Sequence, residues 1–124
     1  MLPYKELANL DKIVHEPARL SILTALSACT LAEFLFLQEL TGLTKGNLSS
    51  HLSKLEKANL IVIDKHFVRK KIPQTTIRIT SEGKAAVDQH WKQLLSIHQS
   101  IRHHGANNEN RSAPNPLSIN QALT

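Results

Sequence analysis

Lys45, Asn47, Ser49, Ser50 and Ser53 are the side chains of this sequence whose types and spacing best suit a chemical task. That task is donating hydrogen bonds to a polyanion. They lie in Thr44–Leu60, TKGNLSSHLSKLEKANL, where 100° per residue puts Leu48, Leu52 and Leu55 in one narrow stripe. The opposite face collects Gly46, Ser49, Ser50, Ser53, Lys54 and Lys57. An ordinary surface helix carries long charges of alternating sign there. This face is low, donor-rich and positive, so it can press against a phosphate backbone and send short side chains to base edges.

Within it, Lys45, Gly46 and Asn47 come first and would meet a major groove first. Asn can pair bidentately with adenine, Lys can donate to guanine, and the serines can donate to phosphate or base edges. Gly46 costs a helix about 1 kcal/mol against alanine, which a close approach to a backbone would explain. His51 lies between the apolar stripe and the polar face, so it either hydrogen-bonds within the fold or donates to a phosphate. A second cationic group, Lys65, Arg69, Lys70 and Lys71, falls within seven residues that hold no acid. These would track phosphates or enter a minor groove, adding affinity more than sequence choice.

Other chemistries find less support. The seven histidines include adjacent His103 and His104, and His90 and His98 eight apart, but no pair among these four has the four-residue spacing of a helical zinc pair. They read as a chance surface distribution, with no metal ligands and no cofactor expected. Paired carboxylates, a Gly-rich phosphate loop and a nucleophile triad are all missing, so an enzyme is not expected. The lone cysteine, Cys29, excludes an internal disulfide framework and reads as a buried, inert thiol in a reducing cytoplasm. No apolar run approaches the ~18 residues that span a bilayer, and MLPYKELANLDK has no signal-peptide core. The net charge of +5 favours polyanionic partners.

The elements that must position these groups follow from periodicity. Leu7, Leu10 and Val14 predict a first helix from about Pro3 to Ile13. Pro17 opens a second helix, to about Ala28, with Leu20, Ile22, Leu23 and Leu26 inward. Glu33–Phe34 reads as a brief extended piece, followed by a helix from Leu35 or Phe36 to Thr41. Gly42 stops that helix and Thr44 caps the next. Two helices joined by a short glycine-containing turn form a helix-turn-helix. Leu60–Ile63 and Thr75–Thr80 then read as strands. Between them Asp64–Gln74 predicts a long basic tip, with Pro73 outside the paired region. Thr80 caps a last helix from about Ser81 to Arg102. Its apolar positions Val87, Trp91, Leu94, Leu95, Ile97 and Ile101 outnumber what one small core can cover. With Leu2, Tyr4, Leu7 and His98, the outer ones predict a two-fold interface. Residues 105–124, rich in Asn, Ser and Pro, read as a disordered tail.

The expected fold is mainly α with a small β-sheet: a winged helix-turn-helix over residues 1–104 with a long C-terminal dimerisation helix. The sequence resembles the short, single-domain winged-helix transcriptional regulators of the MarR/ArsR-like group. Glu16–Leu23, EPARLSIL, carries the resemblance in the second helix, and Phe34 and Leu37 carry it in the third. Leu43–Leu52 with Leu55 and Glu56 is the most specific part; Pro73–Thr76 and Ile79–Thr80 before Glu82–Gly83 complete it. The metal-sensing branch's cysteine motif is absent. The resemblance implies a homodimer that binds double-stranded operator DNA, probed against two rivals: a protein-interaction module on the same scaffold, and a ligand- or metal-responsive sensor.

Overall fold

The computed structural model describes residues 3–107. The expected tail from residue 108 onward, and Leu2, lie outside the described residues. The elements run α1 (Pro3–Ala8), α2 (Pro17–Ala28), β1 (Ala32–Glu33), α3 (Phe34–Thr41), α4 (Lys45–Lys57), β2 (Ile61–Val68), β3 (Ile72–Ile79) and α5 (Ser81–Asn107). This is the expected winged-helix order. Two compact units are distinguished, Leu10–Trp91 and the described parts of Met1–Asn9 and Lys92–Thr124.

In the larger unit, Ile22, Leu23 and Leu26 of α2, Leu37 of α3, and Leu48, Leu52 and Leu55 of α4 form one buried cluster with Ile61, Ile77 and Val87. Each such side chain contributes about 1.5–3 kcal/mol on burial. Leu20, expected inward, is half-buried at the edge of the cluster. Arg19, on the same helix, is buried instead. The outer side of α3 leaves Leu35, Phe36 and Leu40 exposed. Cys29, expected to be buried, closes α2 as its C-cap and is half-buried.

The first helix stops at Ala8 rather than continuing to Ile13. Asp11 explains the difference: its carboxylate accepts from the backbone N–H groups of Ile13 at 2.8 Å and Val14 at 3.4 Å. Asp competes with the helix in this way wherever its short side chain can close a turn. Leu10 and Val14 are buried from this loop, while Leu7 stays exposed.

The sheet order is β1-β3-β2, all antiparallel. The extended piece falls on Ala32–Glu33, one residue earlier than expected, because buried Ala32 pairs with Ile77 and Glu33 with Thr76. The wing differs more. Its strands hold eight residues each, and the long basic tip is replaced by a tight turn between Val68 and Ile72. Lys71 N–H donates to the Val68 carbonyl at 3.4 Å, and Arg69 and Lys70 have φ of 54° and 65°. Positive φ at both central residues is the mirror-image turn whose twist suits a hairpin, reached here without glycine.

Pro73 is inside the ladder, opposite Phe67. The backbone alternation shows why it is tolerated. Thr80 N–H donates to the Leu60 carbonyl, so bonded and non-bonded pairs alternate from there and Phe67–Pro73 is a non-bonded pair. The proline nitrogen faces the other edge of β3, which β1 meets only at Ile77 and Thr76. No ladder donor is lost.

Gly83 lets the start of α5 approach the backbone of Leu60, just before β2, because a β-carbon there would collide with the Leu60 carbonyl oxygen. Thr80 caps α5 as expected, its Oγ1 accepting from Gly83 N–H at 2.9 Å and donating to the Asn59 carbonyl at 2.7 Å. The helix continues through Gly105 to Asn107, past the expected end near Arg102. In the smaller unit Pro3 and Ile97 are buried, and the Tyr4 ring meets His104 edge-on with centroids 5.8 Å apart. No helix among the described residues is long and apolar enough to cross a membrane.

Candidate nucleic-acid interface

Gly42 ends α3 with φ 70°, its N–H bonded to the Gln38 carbonyl. Thr44 then caps α4, its Oγ1 accepting from Asn47 N–H at 3.2 Å. That cap leaves the other early amides of α4 at a partly positive helix end, and no acid occupies the first turn. Leu48, Leu52 and Leu55 are buried, whereas Lys45, Gly46, Asn47, Ser49, Ser50, Ser53, Lys54 and Lys57 are all exposed. The division read from the helical wheel is the division found. A β-carbon at Gly46 would meet nothing in the chain, so this glycine serves no internal packing.

The far end of α4 is tied to the wing. Asn59, with φ 63°, turns the chain, and Leu60 N–H donates to the Leu55 carbonyl. The Glu56 carboxylate accepts from Ile63 N–H at 3.3 Å, fixing the helix against β2. Lys65 is exposed along β2, and Arg69, Lys70 and Lys71 are exposed at the turn.

The wing is braced on its outer face. His66 Nε2 and Gln74 Oε1 are 2.9 Å apart, and Gln74 Nε2 donates to Glu33 Oε1 at 2.6 Å, so one chain of bonds crosses all three strands. Because Gln74 Oε1 can only accept, His66 Nε2 carries the proton. His66 Nδ1 is then left buried without a hydrogen bond, 3.5 Å from the Asp64 carboxylate. These groups line a concavity of about 390 Å³ with Leu31, Val62, Thr76 and Arg78.

His51, whose role the sequence left open, has an internal partner. Arg19 donates from Nε to the Ile13 carbonyl at 2.7 Å and from Nη2 to the Lys12 carbonyl at 3.2 Å, and its Nη1 lies 3.1 Å from His51 Nδ1. Glu16 caps α2 through Arg19 N–H and approaches His51 Nδ1 at 3.7 Å. Burial pushes the Glu16 carboxyl up, but the N–H groups of Arg19 and Ala18 and the charges of His51 and Arg19 outweigh it and hold it below its ordinary value. Arg19 was not among the expected site residues. Its signal, a lone cation on the apolar side of a helix, was present in EPARLSIL.

His90, expected on the surface, is 3% exposed, its Nε2 3.0 Å from His15 Nδ1. Burial, then the charge of His15, pull it below its ordinary value, against a smaller opposing pull from Asp11. Among the described residues no cluster of three or more His, Cys, Asp or Glu could hold a metal ion. Of the expected interface residues on α5, Trp91 is 43% and Leu95 60% exposed, His98 is exposed, and Leu94 and Ile101 are half-buried. Tyr4 and Leu7 of α1 are exposed.

Comparison with known proteins agrees with this geometry. Residues 18–98 match the winged helix DNA-binding domain family. Over 90 residues the chain is 32% identical to an uncharacterized protein of Methanocaldococcus jannaschii, covering 73% of this chain and 97% of that one. A transcriptional regulator homologue from Pyrococcus horikoshii OT3 superposes with a TM-score of 0.72 at 30% identity, covering 82% of this chain and 98% of its own. Apo MarR from E. coli shares the fold at a TM-score of 0.61 and 17% identity, covering 98% and 83%. With the helix-turn-helix, the hairpin wing and the long last helix in place, the chain belongs to the winged helix DNA-binding domain family, built as the MarR-type transcriptional regulators are.

Proposed function

We propose that this protein is a sequence-specific transcriptional regulator that binds double-stranded operator DNA as a homodimer and represses by occupying its site. The observation that carries the reading is the exposed face of α4, where Lys45, Gly46, Asn47, Ser49, Ser50, Ser53 and Lys54 stand clear of a helix anchored by three buried leucines. Lys45 and Asn47 read base edges in the major groove, the serines and Lys54 hold the adjoining backbone, and His51 adds a donor at the margin. Lys65, Arg69, Lys70 and Lys71 hold the flanking DNA. An interaction module on this scaffold would expose apolar side chains on α4; this face carries none.

Dimerisation is supported by the exposed apolar side chains of α5 and α1, chiefly Leu95, Trp91, Tyr4 and Leu7; Leu94, His98 and Ile101 of α5, and Leu2, outside the described residues, complete the proposed interface. A two-fold dimer places two reading helices about one DNA turn apart, and such a dimer needs no further domain to exclude other proteins from its site. The test is selection of bound duplexes from a random pool, followed by light scattering of the complex. A palindromic site occupied by two chains is expected. Leu95→Glu should yield monomers that bind it far more weakly. Recovery of no preferred sequence, or of one chain per site, would refute the corresponding half of the proposal.

A further inference from the structure

Two surfaces of the larger unit are apolar and opposite in charge. At 100° per residue, Leu35, Glu39, Phe36 and Leu40 fall within an arc of about 140° on α3, clear of buried Leu37. All four are exposed, Leu35 at 72%. From Leu20 to Thr44 the chain holds Glu33 and Glu39 and no Lys or Arg, in a protein of net charge +5. An apolar face edged by acid is repelled by a polyanion, so DNA binding leaves this one unused.

The tip of the wing is its complement. Phe67 is 70% exposed and stays outside the buried cluster. Residues alternate between faces along a strand. Phe67 therefore shares its face with exposed Lys65, while Ile72 lies on the opposite face with Asp64 and His66. Arg69, Lys70 and Lys71 follow at the turn, and Lys65–Pro73 contains no acid. Since β1 pairs with β3 only at Ile77 and Thr76, β2 and β3 run on to this tip as a free two-stranded ribbon. Such an end can reach a neighbouring molecule ahead of the body of the fold.

We infer that the wing tip of one copy docks on α3 of the next, with Phe67 seated among Leu35, Phe36 and Leu40 and the tip cations facing Glu39 and Glu33. Burial of apolar surface supplies the attraction, and the opposed charges select the pairing. An exposed aromatic beside Arg is the composition of an interface anchor. The occupant is a second copy because the matching segment lies in the same chain, on a different surface. The contact is heterologous: each copy gives a wing and receives one, so association continues from copy to copy, apart from any two-fold pairing through α5 and α1. One ribbon end makes a small interface, so the contact is weak and concentration-dependent. A single consequence rests on the DNA-binding reading. DNA and a second copy compete for the same wing cations, so DNA binding releases protein from the assemblies.

Sedimentation of the full chain without DNA, at low salt and rising concentration, tests the contact. Mass should climb from the micromolar towards the millimolar range and fall back as salt screens the charges. Phe67→Ser, and separately Leu35→Ser with Leu40→Ser, should each weaken this association about tenfold or more. Mixed, the two variants should regain it, because one still offers α3 and the other a wing. Glu39→Lys should weaken it, and Ile72→Ser should not. All these side chains are exposed, and melting curves should show that every variant folds. Duplex selected from a random pool should dissolve the parent's assemblies, and the α3 variant should bind that duplex like the parent. A parent whose mass is constant with concentration overturns the contact and leaves the DNA-binding reading standing. Association that survives Phe67→Ser, or that the mixture does not regain, also overturns the contact. Assemblies that persist in excess duplex overturn the competition, and with it the wing's place in the DNA complex.

Discussion

Arg19 Nη1 lies 3.1 Å from Nδ1 of His51, joining α2 to α4 through one hydrogen bond. A guanidinium can only donate, so His51 Nδ1 accepts in this contact and Nε2 is the nitrogen that carries a proton. The imidazole is thus oriented from inside, which reconciles its two possible roles: Nδ1 serves the fold and Nε2–H remains a donor.

Arg19→Ala should cost about 2–4 kcal/mol, since it leaves the Lys12 and Ile13 carbonyls without their donor in a partly buried site. Arg19→Lys should recover little, because one ammonium cannot span three acceptors in the guanidinium's fork geometry. Urea titration measures both. Nitrogen NMR of His51 reads the tautomer, and a proton resident on Nδ1 would contradict the assignment.

Gly83→Ala should be among the more damaging single-methyl additions in the chain, at about 3 kcal/mol or more. The added carbon meets the Leu60 backbone carbonyl, which cannot swing aside because it already accepts from Thr80 N–H. Thermal melting checks this, and a near-neutral change would mean that the start of α5 can shift.

Acid should weaken the fold through His90. Its folded value lies below the ordinary 6.5, chiefly from burial and then from His15. The unfolded chain therefore binds this proton more tightly. Stability from this group is full above about pH 6.5 and is lost as pH falls from there through the folded value. Urea midpoints at several pH values should show the decline, and His90→Gln should reduce it. An identical decline in the variant would assign it to other groups.

Lys45→Ala with Asn47→Ala should lower preference for the selected site while changing affinity for random DNA little. Neutralising Arg69, Lys70 and Lys71 should weaken binding to both alike. Equal losses on both duplexes from the two variants would remove this division of labour.

Local chemistry made much of this protein legible from its sequence. Caps and stops depend on neighbours a few residues away, so Pro17, Gly42, Thr44 and Thr80 marked their boundaries correctly. Helical period alone separated Leu48, Leu52 and Leu55 from the exposed face of α4. The first helix was overextended because the spacing of Leu7, Leu10 and Val14 imitates a stripe, while Asp11 and the distant Arg19 claim the backbone groups a helix would use. Pro73 looked like the edge of the wing because a sequence does not reveal which ladder positions need a donor; that parity is set by the pairing of Thr80 with Leu60. The partners of Arg19, His51, His15 and His90 are likewise separated by 32 and 75 residues along the chain. Periodicity and propensity act over one or two turns, so the exposed face of α4 belonged to the sequence. Which buried polar groups meet, and where the wing places Phe67 and Ile72, depended on strand register and packing between distant segments, which tertiary structure alone decides.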